Sequence, residues 1–123
     1  MPGTAAVVLL DSVTEVTLEH AGCVVVTGSH GGTSAGRYAL AVRARLYAFN
    51  DAGTGKDEAG IAALAMLDAA GQPAVAIAHT SARIGDAADT WEHGIVSRVN
   101  AAAAAAGYQP GQSLRAAVKR DAH

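Results

Sequence analysis

The chain predicts an α/β protein: a small single-domain layered fold over residues 1–123, with a mainly parallel sheet flanked by helices. Three observations carry this. Short apolar runs at Cys23–Val26, Leu46–Phe49 and Val75–Ala78, rich in valine, read as buried strands. Stretches of helical pattern of crossover length separate them, which calls for right-handed βαβ units and parallel neighbours. Each run also ends in a polar cluster, at the strand end where open parallel sheets bind ligands.

Taken in order, Ala5 to Leu10 is a first strand that stops at Asp11-Ser12. In Val13 to His20, the shared parity of Thr14, Val16 and Leu18 suits an extended segment, although Glu15 and Glu19 have helical spacing. Ala21-Gly22 turns the chain into the central strand from Cys23. After the loop Gly28-Ser-His-Gly-Gly-Thr-Ser34, Thr33 or Ser34 is placed to cap a helix running to about Ala44. Arg45 to Asn50 is the next strand. From Asp57, with Glu58 in the first turn, Ile61, Leu64 and Leu67 mark a helical stripe to Ala70; Gly71 ends it and Pro73 prevents its resumption. Ala74 to Ala78 is a strand that leads into His79-Thr-Ser-Ala-Arg-Ile-Gly-Asp86. Asp89 or Thr90 then opens a long helix through Trp91, Ile95 and Val99 into six alanines, ended by Gly107. Past Pro110-Gly111, Ser113 to Arg120 is a helical tail.

Composition narrows the function. Half of the residues are hydrophobic, yet only 4% are aromatic and 14 are glycine, and alanine is abundant. Small side chains bury little area each, at about 25 cal/mol per Å², so the core gains from a partner surface and a homo-oligomer is expected. Nine basic and 11 acidic residues, net −2, form no basic face with interleaved aromatics, which argues against nucleic acid. No apolar run approaches the roughly 20 residues that span a bilayer, and the first residues lack the pattern of an export signal, so no membrane partner is expected. The lone Cys23 fits a reduced, cytoplasmic setting and reads as a small buried hydrophobe.

The polar clusters suggest chemistry. In the first, Gly28, Gly31 and Gly32 let backbone approach a ligand. Ser29, Thr33 and Ser34 add hydroxyls, so the loop reads as an anion site at a helix start, the alternative being a plain strand-to-helix turn. His30 there offers a general acid or base. The second cluster, Asn50-Asp-Ala-Gly-Thr-Gly-Lys-Asp57, lacks the first glycine and the terminal hydroxyl of a phosphate loop, which excludes a nucleotide triphosphatase. It does supply Asn50, the cation Lys56 and the carboxylate Asp51, whose pKa partial burial would raise. The third offers His79, Ser81, Arg83 and Asp86; Arg83 suits a bidentate hold on a carboxylate or phosphate, or an ion pair with Asp86. No Gly-x-Ser-x-Gly elbow marks a serine nucleophile. Metal binding through His30, His79, Asp51 and Asp86 is geometrically possible across adjacent strands, but no close His-x₃-His or Cys pair marks it, so neither metal nor cofactor is expected.

Thr27-Gly28-Ser29 and Phe49-Asn50-Asp51 resemble two features of methylglyoxal synthase, a phosphate loop after one strand and an aspartate after a later one. That family's glycine-aspartate-glutamine segment has no counterpart before Arg45, so the likeness implies a topology and not an activity.

The functional expectation is therefore an enzyme for a small anionic metabolite, bearing a carboxylate or phosphate, with proton-transfer chemistry by Asp51, His30 and His79 (lyase, isomerase or hydrolase). The rival is a non-catalytic ligand-binding or accessory module using the same pocket.

Overall fold

The computed structural model describes residues 6–53 and 56–121; the side chains of residues 56, 57 and 60 lie outside the description. Five strands form one sheet in chain order: β1 (Val7–Leu10), β2 (Val24–His30), β3 (Leu46–Asn50), β4 (Ala74–Ile77) and β5 (Val96–Val99). The first four run parallel and β5 is antiparallel to β4. The fold is thus α/β with a mostly parallel sheet and, among the described residues, five α-helices: α1 (Thr33–Leu40), α2 (Ala62–Ala69), α3 (Ala87–His93), α4 (Ala101–Ala105) and α5 (Leu114–Asp121).

The apolar runs become strands because both sheet faces are covered. Every residue of β3 and β4 is buried, the pattern of a parallel sheet packed between helical layers. Val25, Tyr47, Phe49 and Ala76 pack on one face with Ala35 and Ala39 of α1 and Ala63 and Leu67 of α2. Val24, Val26, Ala48 and Ile77 face the other way, against Leu114 and Val118 of α5, Tyr108, and Trp91 of α3. Alanine and glycine allow the first layer to lie close: a Cβ on Gly36 of α1 would fall 2.7 Å from the Met66 sulfur of α2. Tyr47 stacks on Phe49 with ring centres 5.9 Å apart. Its hydroxyl donates to the Val42 carbonyl at 2.6 Å, and burial pushes its pKa up to about 12.

Four expectations are corrected. Val13 to His20 forms two 3₁₀ turns, Val13–Glu15 and Leu18–His20, because Ser12 and Thr17 each accept a hydrogen bond from a following backbone N–H. Helix α1 ends at Leu40, not near Ala44, and its N-cap is Gly32, with no side-chain cap from Thr33 or Ser34. The helix after the second loop is α-helical only from Ala62, after a 3₁₀ turn over Lys56–Ile61. The long helix through Val99 does not exist. Asp86 caps α3 by accepting from the Asp89 N–H, α3 stops at Gly94, and the β-branched run beyond it becomes β5 before Asn100 caps the short alanine helix α4.

Among the described residues no helix is long and apolar enough to cross a membrane.

Candidate functional site

Parallel strands deliver their carboxyl ends to one edge of the sheet. The chain leaving β3 goes to α2 on one face, whereas the chain leaving the adjacent β4 goes to α3 on the other. Such a divergence of neighbouring connections is where open α/β sheets commonly bind ligands. Asp51 follows β3 and His79 lies two residues beyond the end of β4, so both stand at that divergence.

They touch there. Asp51 Oδ1 lies 3.1 Å from His79 Nδ1 and also accepts from the His79 backbone N–H at 3.1 Å and the Gly53 N–H at 2.8 Å. Oδ2 accepts from the Ser97 hydroxyl at 2.6 Å. The Asp51 side chain is 8% exposed and the His79 side chain 54%. Burial alone would raise the Asp51 pKa, as the sequence suggests. The Ser97 hydroxyl, the Gly53 and His79 N–H groups and the His79 ring together outweigh it, and hold the carboxyl below its ordinary value. Asp51 is therefore a carboxylate at neutral pH. Since a carboxylate only accepts, Nδ1 is the donor between the two side chains, and Nε2 is the ring nitrogen left outside that contact.

The backbone is shaped for this contact. Asn50 Oδ1 accepts from the Ala52 N–H at 2.8 Å, and Asp51 Oδ1 makes the same two-residue turn to Gly53. These successive turns hold Ala52 at φ 49°, in a region a non-glycine residue seldom occupies, and Gly53 follows at φ 74°.

Asn50 is fully buried, and its Nδ2 donates to the Ala82 carbonyl at 3.1 Å. Gly28 is a backbone crossing: its carbonyl accepts from the Gly85 N–H at 2.7 Å, so the loop after β4 passes over the end of β3 and lies on β2. Gly31 is buried, its N–H bonded to Asn50 and its carbonyl to Ala63; Gly32 lies under the His30 ring. The Ser29 hydroxyl accepts from the Val13 N–H, and Ser81 bonds both Ala78 and Ile95, so both serve as ties within the fold. Thr33 and Ser34 are exposed at the start of α1, and His30 is exposed at the end of β2 with no hydrogen bond to Asp51 or His79. Arg83 is exposed; its N–H donates to Asp89, and among the described residues it makes no ion pair with Asp86. The Lys56 side chain lies outside the described residues. No group of three or more metal-ligating side chains occurs among the described residues.

Sequence reasoning missed Ser97. It lay inside the expected helix, and the signal against that helix was Gly94 followed by Ile95, Val96 and Val99. A cavity of about 400 Å³ lies between α2 and β5, lined by Ile61, Leu64, Asp68 and Val99, and the Arg98–Glu58 ion pair, 3.1 Å, stands in it.

Comparison with family models, with curated proteins and with solved structures finds no match for this chain.

Proposed function

We propose that this protein is an enzyme that moves a proton on a small anionic metabolite, in the manner of a lyase, isomerase or hydrolase, with His79 as the acid–base group. The observation that carries the reading is the pairing of a buried carboxylate with the Nδ1 side of an exposed imidazole. This leaves Nε2 of a half-exposed ring outside the contact with Asp51. Asp51 holds and orients the ring and does not itself exchange the proton, since all of its strong interactions are with protein groups. The anionic character of the substrate rests on the uncapped start of α1 behind Gly32 and on the exposed Arg83 near the same sheet edge.

The test is incubation of the protein with a panel of small carboxylates and phosphate esters in deuterated buffer, followed by NMR. Product formation, or solvent deuterium entering a carbon position, is the expected result. A compound that shifts the protein's own resonances around Asp51 and His79 but is neither converted nor labelled would favour a ligand-binding module instead.

The homo-oligomer belongs to this proposal. Edge strand β1 leaves Val7 and Leu9 exposed, and Ala101, Ala104, Ala105 and Ala106 are exposed around α4. Sedimentation is expected to show an assembly larger than one chain; a clean monomer at high micromolar concentration removes that part of the reading.

A further inference from the structure

We propose that Ser97 is a positioning residue that fixes the tautomer of His79 through Asp51. The inference rests on the reading of His79 as the proton carrier and extends the site to a third strand.

Two independent features of β5 support it. The first is the division of donors over the carboxylate. Three groups converge on Oδ1, namely the Gly53 N–H, the His79 N–H and the His79 ring, while Oδ2 has the Ser97 hydroxyl as its partner among the described residues. A serine has one hydroxyl proton to give. The Ala76 carbonyl lies 3.3 Å from Ser97 Oγ, the Asp51 oxygen 2.6 Å, and the nearer acceptor is the charged one. Ser97 therefore fixes the far oxygen and completes the hold on the carboxylate's rotation about its Cβ–Cγ bond. With Oδ2 released, only the two backbone N–H groups on Oδ1 resist that rotation, and the contact of Oδ1 with Nδ1 loosens.

The second feature is the strand register. Ala76 pairs with Arg98 and its neighbour Ile77 pairs with Val96, so Ser97 is an extra residue with no partner on β4. A bulge of this kind bends the strand and re-aims the side chain it carries. Here it sends the hydroxyl back over β4 towards the end of β3, where a regular ladder would have paired it with a β4 residue. Strand β5 is antiparallel, so its first residues lie at the edge where β3 and β4 end.

Ser97 touches no reacting group in this scheme. Its effect passes through Asp51 to the imidazole: a fixed carboxylate keeps the proton on Nδ1 and the lone pair on Nε2, whereas a free imidazole favours the opposite tautomer. Loss of Ser97 should scramble the ring without removing it.

The experiment is long-range ¹H–¹⁵N NMR of the His79 ring, which reads the tautomer directly and needs no substrate. It is recorded at alkaline pH on wild type, Ser97→Ala and Ser97→Thr. Wild type should show the proton on Nδ1, Ser97→Ala should move most of the population to Nε2–H, and Ser97→Thr, which keeps the hydroxyl, should return it to Nδ1. If Ser97→Ala does not fold, Ser97→Cys, similar in size with a weak donor, serves in its place. A Ser97→Ala ring that stays on Nδ1 overturns the positioning role and leaves the Asp51–His79 pair standing. A wild-type ring protonated on Nε2 overturns the pair itself, and with it both this inference and the proposed chemistry.

Discussion

Gly28→Ala is expected to destabilise the protein by about 3 kcal/mol, near the upper end of what one inserted methyl group does to a packed interior. An added Cβ would fall 2.5 Å from the Asp86 nitrogen, 2.5 Å from the Gly85 carbonyl carbon and 2.8 Å from the Asp11 oxygen. All three are backbone atoms, and none can rotate away. The chain must shift at the crossing where Gly85 bonds to Gly28, and that crossing carries the loop between His79 and α3. Gly32→Ala makes the control: its nearest obstacle is Nε2 of the exposed His30 ring at 2.9 Å, which can swing out, so its stability loss should stay below about 1 kcal/mol. Urea unfolding of both variants checks this, and a Gly28→Ala protein as stable as wild type would show that the loop does not lie on β2.

The contrast between these glycines shows what a sequence can and cannot display. Both stand in one glycine-rich stretch that reads as a ligand loop. Positive φ and open space are local properties that a glycine advertises, but the reason for Gly28 is a segment almost sixty residues later in the chain. The fold class was legible because burial on both faces writes itself into the chain as runs such as Val24-Val25-Val26 and Ala74 to Ile77. The stretch from Trp91 to Val99 misled because apolar residues four apart match a helix, while Gly94 and the valines decide for a strand only once β4 offers an unpaired edge. Asp51 and His79 could be named singly from their places after apolar runs. The Ser97 contact depends on a register irregularity, which no periodicity records.

The Asp51–His79 pair should separate into a structural and a functional member. His79→Ala removes a largely exposed ring and should leave stability within about 0.5 kcal/mol, while lowering turnover of any converted metabolite by about 10²–10⁴-fold, the usual contribution of a positioned acid or base. Asp51→Ala should do both. The Gly53 and His79 N–H groups and the Ser97 hydroxyl lose a nearly buried acceptor, for a stability loss on the order of 2–4 kcal/mol at neutral pH, and the unheld ring loses its orientation. The pH dependence distinguishes this from simple cavity formation. A carboxyl whose pKa is lower folded than unfolded stabilises the fold while it is ionised. That contribution is complete above the unfolded value, about 3.9, and is lost as the pH falls through the folded one. The gap in stability between wild type and Asp51→Ala should thus hold steady from pH 7 to about pH 5 and narrow below pH 4. Unfolding curves taken across that range measure it. A gap that widens in acid would mean that Asp51 is protonated in the folded protein, and a protonated Asp51 would not hold the imidazole in the way the proposed chemistry requires.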